Sequence, residues 1–253
     1  TDAVDDKTLD GQGLVDLARL LMFQRRFELA NQALVFADAE LNGKRGPAYR
    51  LVEPEVLLLL AELYNETRQA GEGGDRSLAL IAEVLKVDDG QPQALVSKAR
   101  ALLGGMNGRS AELALDKALT RDPSLPEALL LRARTRLLDR RMGLAIELAD
   151  RVLREDPQRR EALALRAVAI EMGRSAEEAG LARKHFDTLH PESAALDALL
   201  GEVLQSHYRF EESLAPLQRA LDREPRDERP LPVLAQSLAH LGRETEAVAG
   251  FDA

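Results

Sequence analysis

Four histidines are the chain's first candidates for acid–base or metal chemistry: His185, His190, His207 and His240. Imidazole changes charge near neutral pH and ligates metals, so spacing decides what it can do. A helical zinc site would pair two histidines as in H-E-x-x-H, and that spacing does not occur. His185 and His190 share a helix end, where a cation suits the C-terminal dipole. His207 and His240 fall in turns between paired helices. The acidic pairs Glu177-Glu178 and Glu211-Glu212 sit where a second helix starts, and the dipole there favours them without any catalysis. The glycine clusters 71–74 and 104–108 follow no strand and precede no Gly-Lys-Ser/Thr, which excludes a phosphate loop. There is no G-x-S-x-G elbow. With no Cys in the chain, thiol catalysis, disulfides and Cys-based metal sites are excluded. Asn65-Glu66-Thr67 fits a glycosylation sequon but lies inside an expected helix. The expectation is therefore no catalytic, cofactor-binding or metal-binding residue, and not an enzyme.

The elements that carry these residues are helical by composition. The 253 residues include 47 leucines but three isoleucines and no Trp, and aromatics are 4%. Leu and Ala favour helices, whereas β-branched and aromatic residues favour strands. Formal charge is −9 and the isoelectric point is near 5.1. A phosphate-backbone binder needs a basic face, so no nucleic-acid partner is expected. The longest apolar run, Val56–Ala61, is far short of the ~20 residues of a membrane helix. No signal peptide is visible, which leaves cytoplasm and periplasm both open.

An internal repeat sets the organisation. Pro123, Pro157, Pro191 and Pro225 are separated by 34 residues each time. Counting each repeat from 31 residues before its proline, position 8 holds Ala99, Ala133, Ala167, Gly201 and Ala235. Position 20 holds Ala111, Ala145, Ala179, Ser213 and Ala247, and position 4 holds Leu95, Leu129, Leu163, Asp197 and Leu231. Small residues recurring in this way imply two helices per repeat that approach closely there. The expected repeats are 11–44, 54–91, 92–125, 126–159, 160–193, 194–227 and a partial 228–253, with 1–10 a flexible segment and 45–53 an inserted loop. Extra residues are expected in the turn Gln69–Gly74. Capping boxes are expected at Ser124-x-x-Glu127 and Ser175-x-x-Glu178. Positive φ is expected at Gly104-Gly105, Gly143, Gly173 and Gly242, between paired helices.

The period, the helix–turn–helix repeat, the small residues and the terminal proline resemble the tetratricopeptide repeat (TPR) family over 11–253. The resemblance implies an all-α, right-handed superhelical solenoid. It departs in detail: Leu mostly replaces the family's Trp and Tyr, with Tyr64 surviving, and Arg132, Arg166 and Arg183 stand where apolar residues are expected. Pentatricopeptide relatives bind RNA, and their surfaces should be basic, unlike this acidic chain. The resemblance also implies a concave face lined by each first helix, including positions 5, 6 and 9. There the partner-binding candidates are Arg19, Val96, Arg100, Leu130 and Arg134. Lys and Asn of the family's carboxylate clamp are missing from the matching positions. The expected function is a non-catalytic scaffold holding an apolar or amphipathic protein segment, oriented by the arginines. The alternatives are a regulatory or substrate-docking part of a larger enzyme, and self-assembly. The array stops within a repeat, so Leu234, Leu238, Leu241, Val248 and Phe251 are expected to lack cover, and either continuation of the chain or self-association through that end is expected.

Overall fold

A computed structural model describes residues 11–24, 26–43, 54–67, 72–105 and 107–249. Among them are fourteen helices and no strand. In chain order they are α1 (Gly11–Phe23), α2 (Phe27–Gly43), α3 (Pro54–Thr67), α4 (Glu72–Val87), α5 (Pro92–Gly104), α6 (Gly108–Arg121), α7 (Pro126–Leu138), α8 (Met142–Glu155), α9 (Arg160–Gly173), α10 (Ala176–Leu189), α11 (Ala195–Ser206), α12 (Phe210–Arg223), α13 (Pro230–His240) and α14 (Glu244–Ala249). Consecutive odd- and even-numbered helices pack as hairpins. The chain divides into two compact units, Thr1–Leu125 and Pro126–Ala253. The segment 1–10, the loop 45–53 and Phe251 lie outside the described residues.

The phasing prolines end the second helices by a local rule. A residue before proline is driven out of the α region by the ring. Asp122, Asp156, His190 and Glu224 accordingly have φ of −134°, −132°, −135° and −125°. Each still donates its N–H to the carbonyl four residues back, closing the last helical turn. A turn then reverses the chain, with Leu125, Arg159, Ser193 and Asp227 donating to the carbonyls of Asp122, Asp156, His190 and Glu224.

Local capping agrees in part. Ser175 accepts from the Glu178 N–H while the Glu178 carboxylate accepts from the Ser175 N–H, a complete capping box. Ser124 differs from expectation. Its N–H and hydroxyl both donate to Asp122 Oδ1, at 3.0 and 2.9 Å. Because α7 starts at Pro126, Leu125 precedes the helix and Ser124 is one residue too early to cap it. The turn glycines also differ. Gly242 has φ of 73°, but the other left-handed turn residues are Arg140 (60°) and Tyr208 (64°). The left-handed site is the second residue after the first helix; Gly104 and Gly173 fall inside helix ends and Gly143 inside α8. In the turn expected at Gln69–Gly74, Glu72–Gly74 already belong to α4 and the rest lies outside the described residues. Weak helix formers cost little in a first turn, whose N–H groups lack intrahelical partners anyway.

The N-terminal unit is built on Leu14, Val15, Ala18, Leu21, Ala30, Ala33, Leu34 and Ala37, joined by Val56 and Leu63 from α3. A second cluster of Leu57, Ala61, Ile81, Val84, Ala94 and Ala101 joins α3, α4 and α5. In the C-terminal unit, the small residues Ala133, Ala145, Gly201 and Ser213 are buried where paired helices meet. A Cβ added to Gly201 would lie 2.4 Å from Leu217 Cγ. Leu234 and Leu238, expected to lack cover, are buried against Leu217, with Leu214, Leu221, Val233 and Ala247 around them. Those two leucines face the interior made by α12 and α14, so cover comes from preceding and following helices of the same unit.

Candidate partner-binding face

Position 9 runs along the first helices. In the N-terminal unit it places Arg100 of α5 against Glu62 of α3, Nη1 to Oε1 at 3.2 Å, with side chains 41% and 40% exposed. Arg19 of α1 pairs within its own helix, to Asp16 at 3.2 Å. Exposed pairs of this kind contribute about 0–1 kcal/mol each, since water screens them and two long side chains are ordered. A carboxylate brought by a partner can therefore exchange with them.

In the C-terminal unit the same position behaves differently. Arg134 of α7 reaches Glu202 of α11, Nη2 to Oε2 at 2.5 Å. The pair skips α9, where position 9 is Val168, fully buried. At the turn ends the two helices also meet. His207 Nε2 is 3.0 Å from the Leu137 carbonyl and 3.3 Å from that of Leu138, so it must carry the proton and donate. Arg140 Nη2 donates to the His207 carbonyl at 3.0 Å. Beneath this clasp α9 is apolar nearly all round: Ala162, Leu163, Ala164, Leu165, Ala167, Val168, Ala169 and Ile170 are all buried. A helix of that composition is stable only when covered on every side.

The five sequence candidates thus separate by chemistry. Val96 in the N-terminal unit and Leu130 in the C-terminal unit are buried, at 5% and 9% exposure. Arg19 and Arg100 in the N-terminal unit, and Arg134 in the C-terminal unit, are half-exposed and each holds an internal carboxylate. Position 5 is largely buried (Val15, Val96, Leu130, Ala164), and much of the apolar character read along the first helices is packing between them. Sequence reasoning missed Glu202 and His207 as partners of α7, because both contacts span two repeats. Among the described residues, no group of three or more His, Cys, Asp or Glu is arranged to hold a metal ion.

No family model matches the chain, and no curated protein matches it. Solved structures do. A tetratricopeptide repeat protein from Parabacteroides merdae superposes with a TM-score of 0.58 at 12% identity, covering 96% of this chain and 91% of its own. PilW, a type IV pilus biogenesis factor, gives 0.58 at 17% identity over 88% of this chain and 98% of its own. Human IFIT1 bound to m7Gppp-AAAA gives 0.58 at 17% identity, over 95% of this chain and 58% of its own. The chain has a TPR-type fold.

Within the TPR-type fold, two of the charged departures from the repeat, Arg166 and Arg183, are answered by opposite charges. Arg166 Nε donates to Asp150 Oδ1 at 2.8 Å. Arg183 of α10 bridges Glu171 of α9 and Asp197 of α11, at 3.1 and 2.9 Å. Asp197 occupies the position where other repeats have Leu; its side chain is fully buried, and Arg219 (2.8 Å) and Arg223 (3.7 Å) complete the cluster. Burial opposes ionisation of Asp197, but hydrogen bonds from Arg219 and Arg183 outweigh it and hold the carboxyl below its ordinary range. Only Phe186 of α10 is buried, so this TPR hairpin meets its successor through charge more than apolar packing. The signal was in the sequence: Arg183 and Asp197 break the apolar pattern with opposite signs.

Proposed function

We propose that the chain is a non-catalytic protein-interaction scaffold that holds an apolar or amphipathic segment of a partner along its first-helix face. In the N-terminal unit Arg19 and Arg100 read the segment's carboxylates beside Val96, and in the C-terminal unit Arg134 does so beside Leu130. The observation that carries this reading is that half-exposed guanidiniums, Arg19 and Arg100 in the N-terminal unit and Arg134 in the C-terminal unit, each engage a carboxylate through a bond that water can replace. Arginine suits such contacts because its planar fork matches a carboxylate. The TPR-type fold supports a protein partner by analogy. A net charge of −9 opposes a phosphate backbone, so the RNA ligand of IFIT1 is not carried over.

Selection of peptides from a displayed random library on the whole chain tests this. Enriched peptides should combine Asp or Glu with apolar residues, and the double variant Arg100→Glu, Arg134→Glu should release them while remaining folded by circular dichroism. Enrichment without acidic residues, or binding indifferent to both substitutions and to salt, would place the interaction elsewhere.

A further inference from the structure

We propose that the α7–α11 clasp is a latch that shuts a second binding face, floored by α9, with Glu202 standing on Arg134 where a partner's carboxylate would stand. The nature of that occupant rests on the function proposed above; the latch itself does not.

Three observations meet at this place. The first is what is covered. α9 presents Ala164, Leu165 and Val168 at positions 5, 6 and 9, the positions that line the first-helix face, and all three are buried. The second is how the cover is fastened. Arg134 and Glu202 remain 49% and 29% exposed, so their bond lies at the water boundary rather than in the core. Beside it, His207 and Arg140 donate hydrogen bonds to main-chain carbonyls at helix ends. The third is placement. Arg140 and Tyr208, the non-glycine residues with positive φ among the described residues, occupy the second position after α7 and α11, the turn position that Gly242 fills after α13. The two turns so formed set Arg140 and His207 at the facing helix ends, and hydrogen bonds at exposed turns are the kind that open locally.

A partner carboxylate that takes Arg134 from Glu202 would remove one fastener as it binds. Opening and binding then become linked, and a segment without a carboxylate would meet a shut face. The same chemistry explains why Arg134 reaches across two repeats rather than to its neighbour: the adjacent position is Val168, so Glu202 is the acidic group on that row in this unit.

The natural absence of cysteine gives a direct test. Val168→Cys places a single, near-isosteric thiol under the clasp, and Ala149→Cys places one in α8, also fully buried but away from it. Each single-thiol variant of the whole chain is treated with Ellman's reagent. Adding Glu202→Gln and Arg140→Ala should speed labelling of the thiol under the clasp about tenfold, the shift in an opening equilibrium that ~1.4 kcal/mol produces, while the thiol in α8 reacts at an unchanged rate. Raising salt from low to molar concentration should speed labelling in the Val168→Cys variant and have little effect once Glu202 is also replaced. Labelling under the clasp that ignores the clasp substitutions would overturn the latch, as would equal acceleration at both thiols, which would mean general loosening. No partner is present in this assay, so failure of the peptide selection leaves its result intact.

Discussion

Replacing Gly201 by Ala should weaken the C-terminal unit although Ala is the better helix former. Propensity alone predicts a gain of about 1 kcal/mol, because glycine loses more backbone freedom on folding. The surroundings oppose it. The new Cβ would stand 2.4 Å from Leu217 Cγ, 2.6 Å from Cδ2 and 3.3 Å from Cδ1. Carbon atoms in contact prefer roughly 3.5–4.0 Å, so the overlap is severe. Leu217 is fully buried and packed in one cluster with Leu234 and Leu238, with little room to turn away. Overpacking costs typically ~1–3 kcal/mol, and an approach this close belongs in the upper half of that range. The net loss is then about 1–2 kcal/mol. Because repeat arrays need not unfold as one cooperative block, hydrogen exchange of α11 and α12 is the direct readout, with urea unfolding as a check. Leu217→Ala removes the obstructing atoms. In that background Gly201→Ala should become neutral or stabilising, a coupling that a double-mutant cycle measures. Stabilisation by Gly201→Ala in the otherwise unchanged chain would refute the reasoning.

Other outcomes follow from the same geometry. Ala133→Trp or Ala167→Trp should destabilise the flanking hairpins by at least ~1–3 kcal/mol, seen as lost exchange protection nearest the substitution; unchanged thermal stability in both would mean the repeat phase is misplaced. Ser175→Ala deletes the side-chain half of a capping box and should cost about 0.5–2 kcal/mol, with the first turn of α10 losing helical exchange protection. Asp197 has a depressed carboxyl pKa, so its contribution is present above the ordinary Asp value of ~3.9 and is lost as pH falls through the lower folded value. Urea midpoints measured from pH 2 to 7 should therefore fall more steeply at the acid end for the parent than for Asp197→Asn, and parallel curves would count against the cluster.

The hairpin pattern was legible because its determinants are local. A proline at a fixed interval breaks a helix wherever it falls, and small residues at positions 8 and 20 mark close approach without reference to the rest of the chain. Ser175 and Glu178 were readable for the same reason. Ser124 misled because a cap depends on the helix starting one residue later, and Pro126 moved that start away from it. The left-handed turn positions were misassigned because glycine is permissive anywhere, while the site is fixed by counting from the first helix, and Arg140 and Tyr208 fill it. The arginines of the candidate face were visible as a row, but their partners were not. Glu62 needed two adjacent first helices in register, and Glu202 needed α7 to reach past α9, a contact two repeats apart that a linear period does not encode. Val96 and Leu130 are nearly buried, and periodicity alone does not tell how much of a first-helix position is taken up by packing between repeats.

The proline joints have a consequence for how such a chain lengthens. The joint at 122–125 closes with backbone bonds between residues three or four apart, as does the turn at 88–91, whereas the joint at 190–194 also draws on Arg223 and Glu224 of the following hairpin. A hairpin between two joints is thus a cassette: duplicating residues 92–125 would add a turn of array with every main-chain group still paired. The clasped segment is the exception. A cassette inserted between α8 and α9 would carry Glu202 and His207 one repeat away from Arg134 and Leu137 and leave the latch unmade. Growth by duplication is therefore free in one half of this molecule and forbidden across the clasp of the other, so the spacing of 34 residues is tolerant of number outside the clasp and exacting within it.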